Sequence, residues 1–253
     1  MNQPSVNYST NSNIGTIEFY TLHHNSLPAK ILSKLTATIQ HAGKDVNSKV
    51  LILQSGGEKT FCAGASFDEL MAIENEEQGL KFFSGFANVI NTMRTCPKFI
   101  LGRVQGKAIG GGVGLASACD YTFATANAEI KLSELAVGIG PFVVGPAVER
   151  KIGTSAAYEL AIDAGNFRSA QWAKQKGLYT EVFDDAGKMD EAIQKLATIL
   201  ASSSPEAISE IKKAFWKGTE NWNELLTERA AISGRLVLSN YTKDFIKKFK
   251  KSN

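Results

Sequence analysis

The most informative part of this chain is Gly106-Lys107-Ala108-Ile109-Gly110-Gly111-Gly112-Val113-Gly114, which has five glycines in nine residues. It lies between an apolar run at residues 99–104 and a run of small residues at 115–118. This pattern predicts a buried strand, a tight turn and a closely packed helix. Glycines at such a turn admit unusual backbone angles and let a ligand approach the main chain.

The first N–H groups of the predicted helix favour a negative charge, because they lack intrahelical acceptors and carry the positive end of the helix dipole. The charge could belong to a standing phosphate or to an oxyanion that forms only during a reaction. The stretch lacks the Lys-Ser/Thr pair of a phosphate loop and matches a dinucleotide fingerprint only loosely. A tight turn with close helix packing would also account for the glycines.

A second turn of small residues occurs earlier in the chain, at Phe61-Cys62-Ala63-Gly64-Ala65-Ser66. It comes after the apolar run Val50-Leu51-Ile52-Leu53 and before a helical stretch that begins near Phe67. One backbone donor from each turn would form an oxyanion hole if the two donors converged on one point. Two unrelated turns would give the same pattern, so the sequence permits convergence without requiring it.

Composition and charge narrow the classes of function. The 253 residues suit one large domain, or a domain with an appendage, and 28 basic against 25 acidic residues give a net charge of only +3. The basic run at 247–251 suits a solvated helix end better than a nucleic-acid interface. The three cysteines are odd in number and lack metal-ligand spacing, as is typical of reduced intracellular thiols. We expect no signal peptide, no membrane span and a cytoplasmic location, because no apolar run is long enough.

Hydrophobic periodicity predicts the remaining elements. Strands are expected at 14–22, 50–53, 99–104, 120–124 and 178–183. Helices are expected at 27–39, 67–93 with a break near Gly79, 147–152, 155–164, 169–176, 204–215 and 222–249. In the second of these, Phe82, Phe83 and Phe86 are expected to be core residues or a lid over a pocket. Ser204-Pro205-Glu206 is a strong helix start, with a serine cap and a proline in the first turn. A helical tail with apolar stripes and no sheet of its own is typical of packing on a partner subunit.

The order of these elements, with the two small-residue turns and then Ser133-Glu134-Leu135 before a Gly/Pro turn, resembles the enoyl-CoA hydratase/isomerase (crotonase) family. The resemblance runs from about Ile14 to Phe183. It implies an α/β fold in which residues 1–195 form a crotonase-like spiral of ββα units with the acyl-CoA site. Residues 196–253 would form a helical C-terminal trimerisation region, and the protein would be a homotrimer or a homohexamer.

The resemblance also implies roles for individual residues. The N–H groups of Ala65 and Gly111 would bind the thioester oxygen of an acyl-CoA substrate as it becomes an enolate, and Glu134 would be the catalytic acid or base. The substrate-binding residues would be Ala63, Ser66, Phe67, Gly110, Gly114, Ser133, Pro141 and Phe142. No metal or cofactor would be needed, because the thioester itself makes the α-proton acidic and coenzyme A is part of the substrate.

Two departures from the family pattern affect the expected reaction. Well-known hydratases of the family carry a second glutamate on the helix after the triple glycine, where this chain has Gly114. Bulky residues at 142–144 follow Pro141, where the family often has glycine, so the pocket wall should be larger and more apolar. We expect this wall to desolvate Glu134 and raise its pKa. Asp68 and Glu69 are the reserve candidates for a second acid or base.

Three functions therefore remain open. Hydration of a 2-enoyl-CoA by a lyase is favoured by the similarity of the Gly-Gly-Gly-Val-Gly-Leu run to methylglutaconyl-CoA hydratases of the family. Hydration divides naturally between two carboxylates, whereas one carboxylate suffices to move a proton between Cα and Cγ. The second function is therefore a Δ3,Δ2-enoyl-CoA isomerase, and the third is a non-catalytic acyl-CoA-binding or assembly protein.

Overall fold

Two sheets and a set of flanking helices make up the fold. The computed structural model describes residues 3–252, with side chains described up to residue 248. The strands are β1 (Ser5–Asn11), β2 (Ile14–Tyr20), β3 (Val50–Ser55), β4 (Thr60–Cys62), β5 (Ile100–Val104), β6 (Lys107–Ile109), β7 (Tyr121–Thr125), β8 (Ile130–Lys131) and β9 (Glu181–Phe183).

Helices surround these strands and form the C-terminal part. They are α1 (Ala29–Lys44), α2 (Phe67–Met71), α3 (Glu76–Thr95), α4 (Gly111–Ala118), α5 (Gly145–Ile162), α6 (Ala170–Gln175), α7 (Ala186–Ser202), α8 (Pro205–Phe215), α9 (Trp222–Leu236) and α10 (Asn240–Ser252). A short 3-10 helix, Leu135–Val137, follows β8. The predicted α/β class is confirmed.

The larger sheet has the strand order β1-β2-β3-β5-β7-β9. β1 pairs with β2 in antiparallel fashion, and the other pairs are parallel. Side chains of β3 alternate between two apolar clusters: Leu51 and Leu53 belong to the main core, and Val50 and Ile52 pack in the cluster that includes Met189 of α7. Because both faces are covered, the strand is a continuous apolar run.

The smaller sheet positions the residues of interest. It contains β4, β6 and β8 in that order, and all three strands are parallel. Their carboxyl ends therefore lie at the same edge. The turn at residues 63–66 leaves β4, the glycine turn at 110–111 leaves β6, and residues 132–134 leave β8.

Several predicted elements need correction. The predicted break near Gly79 is wrong: Gly79 lies inside α3, and the chain leaves the helical path at residues 72–75 instead, where the side chain of Asn75 caps α3. No prediction covers β1, β8 or α7, and the residues of β4 and β6 were expected to lie in the two small-residue turns. The single helix predicted at 222–249 divides into α9 and α10. The two helices predicted at 147–152 and 155–164 are confirmed, because Gly153 takes non-helical angles inside α5. The expected division at 195/196 falls within α7 and stays a prediction.

Candidate active site

The two small-residue turns lie side by side. Strands β4 and β6 are paired, with Cys62 opposite Ala108. Gly64 has a φ of +89°, and a Cβ built on it would lie 3.1 Å from the carbonyl oxygen of Ile109 and 3.4 Å from the backbone nitrogen of Gly111. Residues almost fifty positions apart in sequence thus meet at the edge of the small sheet.

Each turn has at least one backbone N–H that donates no hydrogen bond within the described part of the chain. Among the hydrogen bonds of residues 3–252, the neighbouring amides of Gly64, Ser66 and Gly110 donate to Cys62 Sγ, Leu27 O and Lys131 O. Within the same range, neither the N–H of Ala65 nor that of Gly111 donates a hydrogen bond. Gly111 opens α4, so its N–H has no carbonyl within the helix to reach. These two donors are available to a ligand.

The first turn is braced by the segment before α1. Ala63 donates its N–H to the carbonyl of His24, Leu27 donates to the carbonyl of Gly64, and Ser66 donates to the carbonyl of Leu27. Asn25 adds side-chain hydrogen bonds from Nδ2 to the carbonyls of Gly56 and Thr60 at 2.8 and 2.9 Å. No sequence pattern links residues 24–27 to the turn, so these hydrogen bonds could not be predicted.

Glu134 lies against the second turn. Its Oε1 would be 3.1 Å from a Cβ built on Gly110, which has a φ of +53° and precedes α4. The residue as a whole is half-buried, but its carboxylate oxygen Oε2 is buried and has no hydrogen-bond partner among the described residues. Burial raises the pKa of Glu134 to about 7, although a hydrogen bond from its own backbone N–H opposes the rise. The predicted desolvation and raised pKa agree with this geometry.

The reserve acids do not supply a second buried carboxylate. Asp68 is exposed. Glu69 Oε2 accepts a hydrogen bond from the backbone N–H of Ala29 at 2.8 Å, and so stabilises the start of α1. The place for a side chain on Gly114 is filled, because a Cβ there would lie 2.5 Å from Cγ1 of Val144.

Aromatic side chains of α3 pack around the site. A Cβ on Gly111 would overlap the tip of the Phe86 ring. Phe82 and Phe83, predicted as core or lid, pack in a small cluster with Leu70, Ile139 and Val237. Phe67 packs against the same cluster. Phe86, which was also predicted as core or lid, belongs to the main core, but no local sequence pattern indicates its contact with Gly111.

Four other residues were predicted to bind the substrate: Ser66, Ser133, Pro141 and Phe142. Ser66 caps α2, since its hydroxyl accepts from the N–H of Glu69 at 3.4 Å. Ser133 directly precedes Glu134 and is half-buried. Pro141 and Phe142 line a cavity of about 300 Å³ together with Leu132, Gly145, Pro146, Val148, Glu149, Ala157, Tyr158, Ala161 and Arg229, a set that does not include Glu134.

Membrane-spanning helices and clusters of metal-binding side chains would each point to a class of function. Over residues 3–252, no helix is long and apolar enough to cross a membrane. No group of three or more His, Cys, Asp and Glu side chains in the same range could hold a metal ion.

Known proteins share this sequence pattern and this fold. YngF of Bacillus subtilis (strain 168), whose name includes enoyl-CoA hydratase/isomerase, is 34% identical over 197 residues, which is 78% of this chain and 75% of that protein. The mitochondrial methylglutaconyl-CoA hydratase of Mus musculus is 32% identical over 78% of this chain and 63% of its own length. The solved structure of an enoyl-CoA hydratase from Bacillus halodurans superimposes with a TM-score of 0.89 at 20% identity, covering 96% of this chain and 99% of that one. A model of the enoyl-CoA hydratase/isomerase family matches residues 9–248. With the two turns and the buried glutamate in place, the chain belongs to the enoyl-CoA hydratase/isomerase family and has its crotonase fold.

Proposed function

We propose that this protein moves a proton between Cα and Cγ of an enoyl-CoA thioester, as a Δ3,Δ2-enoyl-CoA isomerase. One observation carries the proposal: among the described residues, the buried carboxylate that lies beside the turn of Gly110 and Gly111 is that of Glu134. The position where family hydratases have a second glutamate is Gly114, and Val144 fills the space beside it. Proton transfer within one substrate needs only one acid/base group.

The chain's own groups divide the work as follows. The N–H groups of Ala65 and Gly111 donate to the thioester oxygen, and Glu134 removes the proton from Cα. Electrons then move from the broken C–H bond to the oxygen, and the resulting dienolate is held by the two donors. Glu134 returns the proton to Cγ, and the double bond shifts. Each oxyanion donor typically contributes about 3–4 kcal/mol to the stability of such a transition state.

The raised pKa of Glu134 suits this task. A general acid/base works best when its pKa is near the working pH, and the pKa of Glu134 is about 7. The remaining part of the substrate would lie along Ala63, Ser66, Phe67, Gly110, Gly114, Ser133, Pro141 and Phe142. No metal or cofactor enters the proposal, because the thioester supplies the electron sink.

Hydration of a 2-enoyl-CoA is the second candidate, and the similarity to methylglutaconyl-CoA hydratase of Mus musculus favours it. A lyase can work with a single glutamate if that residue activates the water and then returns the water's proton to Cα. The third candidate is a non-catalytic acyl-CoA-binding or assembly protein.

A direct comparison of substrates separates the three. The protein is incubated with a 2-enoyl-CoA and with a 3-enoyl-CoA of the same chain length, and each product is identified by mass and retention time. We expect rapid conversion of the 3-enoyl-CoA to the 2-enoyl-CoA and slow addition of water. Faster production of 3-hydroxyacyl-CoA would establish the hydratase, and binding without turnover would establish the third candidate.

We also propose that the protein assembles as a homotrimer or homohexamer in the cytoplasm. Large apolar side chains in the C-terminal helices support assembly: Phe215 is 73% exposed and Tyr241 is 66% exposed. Three buried free cysteines support a reducing compartment. Light scattering of the Phe215→Ser and Tyr241→Ser double variant tests the assembly, and an unchanged oligomer would exclude these residues from the interface.

A further inference from the structure

Gly114 lies one helical turn beyond the residue that contacts the catalytic candidate. Its N–H donates to the carbonyl of Gly110 at 3.3 Å, and Gly110 is the residue against which Glu134 lies. Four residues of α-helix advance by about 6 Å. The space next to Gly114 therefore lies about one helical turn along α4 from the glycine that Glu134 contacts.

Val144 fills that space. A Cβ built on Gly114 would be 2.5 Å from Val144 Cγ1, 2.8 Å from Val144 Cβ and 3.5 Å from Ile90 Cδ1. Real Cβ atoms do not approach their neighbours to 2.5 Å, so position 114 cannot bear any side chain unless Val144 moves. Val144 is 4% exposed, and Ile90 is fully buried. The side of α4 that faces residues 90 and 144 is therefore dry and apolar.

An enclosed carboxylate requires such a wall. Glu134 Oε2 has no hydrogen-bond partner among the described residues, and burial, not a neighbouring charge, raises the pKa of this carboxyl group. A carboxylate in this environment binds a proton readily. That proton can exchange with solvent only when water reaches the carboxyl group. The wall that excludes water thus controls how fast a proton held by Glu134 exchanges with solvent.

We propose that Val144 is a specificity-determining residue that keeps water from Glu134, so that the proton taken from Cα reaches Cγ without exchanging with solvent. In this step the Cα–H bond breaks and its electrons pass to the thioester oxygen, while the proton binds Glu134. The same proton then forms the Cγ–H bond as the dienolate electrons return. Transfer to Cγ rests on the proposed isomerase function, whereas exclusion of water from the carboxylate does not.

The first experiment follows the proton. A 3-enoyl-CoA is converted in D₂O, and the deuterium at Cγ of the product is measured by mass spectrometry after one turnover. We expect the wild-type product to contain mainly protium at Cγ. The Val144→Ala variant should raise the deuterium content at least threefold, because it opens space for water beside Gly114.

Val50→Ala is the matched control. Val50 lies in β3, is fully buried, and packs in the apolar cluster that includes Met189, not in the cluster that contains Val144. It loses the same two methyl groups, so a general loosening of the fold would affect both variants. If Val144→Ala fails to fold, Val144→Thr keeps the shape and introduces a hydroxyl that can hold water, with the same expected rise.

The second measurement does not depend on turnover. The pKa of Glu134 is determined by NMR titration of protein labelled with ¹³C-glutamate, and we expect it to fall towards the ordinary value in Val144→Ala while it stays unchanged in Val50→Ala. Equal label content and equal pKa in wild type and Val144→Ala would overturn the role of Val144. An absence of isomerisation with a lowered pKa in Val144→Ala would instead overturn the isomerase function and leave the exclusion of water established.

Discussion

The tip of the Phe86 ring lies against the α-carbon of Gly111, so closely that a Cβ on Gly111 would overlap it. Phe86 is 5% exposed and belongs to the main core through α3, and it cannot move aside easily. The ring therefore holds in place the residue that opens α4 and offers a free N–H. The packing of α3 and the position of the Gly111 N–H, a candidate oxyanion donor, are thus coupled. A substitution at Phe86 or at Gly111 should affect both.

Gly111→Ala tests this relationship. The added methyl group must displace Phe86 or the first turn of α4, and overpacking of this kind costs about 1–3 kcal/mol of unfolding free energy. We expect kcat to fall by about 10²–10³-fold as well, which is the loss typical of removing an oxyanion donor. Urea unfolding and steady-state kinetics measure the two effects.

The double variant Gly111→Ala/Phe86→Leu separates packing from donor position. The smaller leucine should restore most of the lost stability, so the two substitutions should be non-additive in unfolding free energy. Additive losses would show that the ring and the glycine do not act on one another.

Glu134→Gln should lower turnover by about 10²–10⁴-fold, which is the usual contribution of a general acid or base. The amide has nearly the same shape as the carboxyl group, so binding of the CoA thioester should change little. Isothermal titration with a saturated acyl-CoA measures the binding and a turnover assay measures the rate. An unaltered rate would require another residue as the base.

The pH dependence follows from the raised pKa of Glu134. The base must be deprotonated, so kcat/KM should rise with pH and level off above a midpoint near the pKa of about 7. The folded protein also holds this proton more tightly than the unfolded chain does. The stability that it contributes is therefore complete below the unfolded pKa of 4.5 and is lost as pH rises through about 7.

The titration of Glu134 also predicts that the unfolding free energies of wild type and Glu134→Gln depend differently on pH. From pH 4.5 to pH 8, wild type should lose up to about 3 kcal/mol of unfolding free energy relative to Glu134→Gln, because each unit of pKa shift corresponds to about 1.4 kcal/mol. Urea titrations of both proteins at the two pH values measure this loss. Parallel pH profiles for the two proteins would show that Glu134 titrates normally.

A glycine-to-glycine crossing joins α3 to the C-terminal helices. A Cβ on Gly79 would lie 2.6 Å from the α-carbon of Gly234 in α9. Gly79→Ala should force the two helices apart and cost about 1–3 kcal/mol. Gly145→Ala is the matched control: it starts α5 with open space around it, so thermal unfolding should show no loss there.

Lys212 fastens α8 to the core. Its side chain is 2% exposed, and its Nζ donates to Asp120 Oδ2 and to the carbonyl of Lys98, both at 2.8 Å. Lys212→Met should cost about 3–5 kcal/mol, because it leaves Asp120 without its cation. Lys213→Met, which removes an exposed pair with Glu210, should cost at most about 1 kcal/mol. Similar losses in chemical denaturation would show that burial of the first pair does not matter.

The fold was predictable where one signal dominated. The apolar run of β3 and the Ser204 cap of α8 are confirmed, as is the kink at Gly153. β1 was missed because its polar residues cover an edge strand in which only Val6 is buried. Gly79 was misread as a helix break because its purpose is tertiary: it admits α9.

The sequence indicated the two turns and Glu134 as candidates for a site, but it did not indicate the contacts between distant residues. The two turns meet and Glu134 lies beside one of them, as the oxyanion hypothesis requires, yet no local pattern links Phe86 to Gly111 or Val144 to Gly114. These contacts join residues that are distant in sequence, so only the packed structure identifies them. For the same reason the sequence allowed Glu69 as a candidate acid or base. In the structure its carboxylate instead accepts a hydrogen bond from the N–H of Ala29 at the start of α1.

The three-stranded sheet has a consequence for how such an enzyme can change. Each of its strands leads into one part of the candidate site at a shared edge: β4 into the turn with Ala65, β6 into the turn with Gly111, and β8 into the segment with Glu134. Because each part of the candidate site follows its own short strand, a change in the segment after one strand need not disturb the segments after the other two. New chemistry could therefore arise by exchanging a single loop, while the six-stranded framework beneath it is inherited intact.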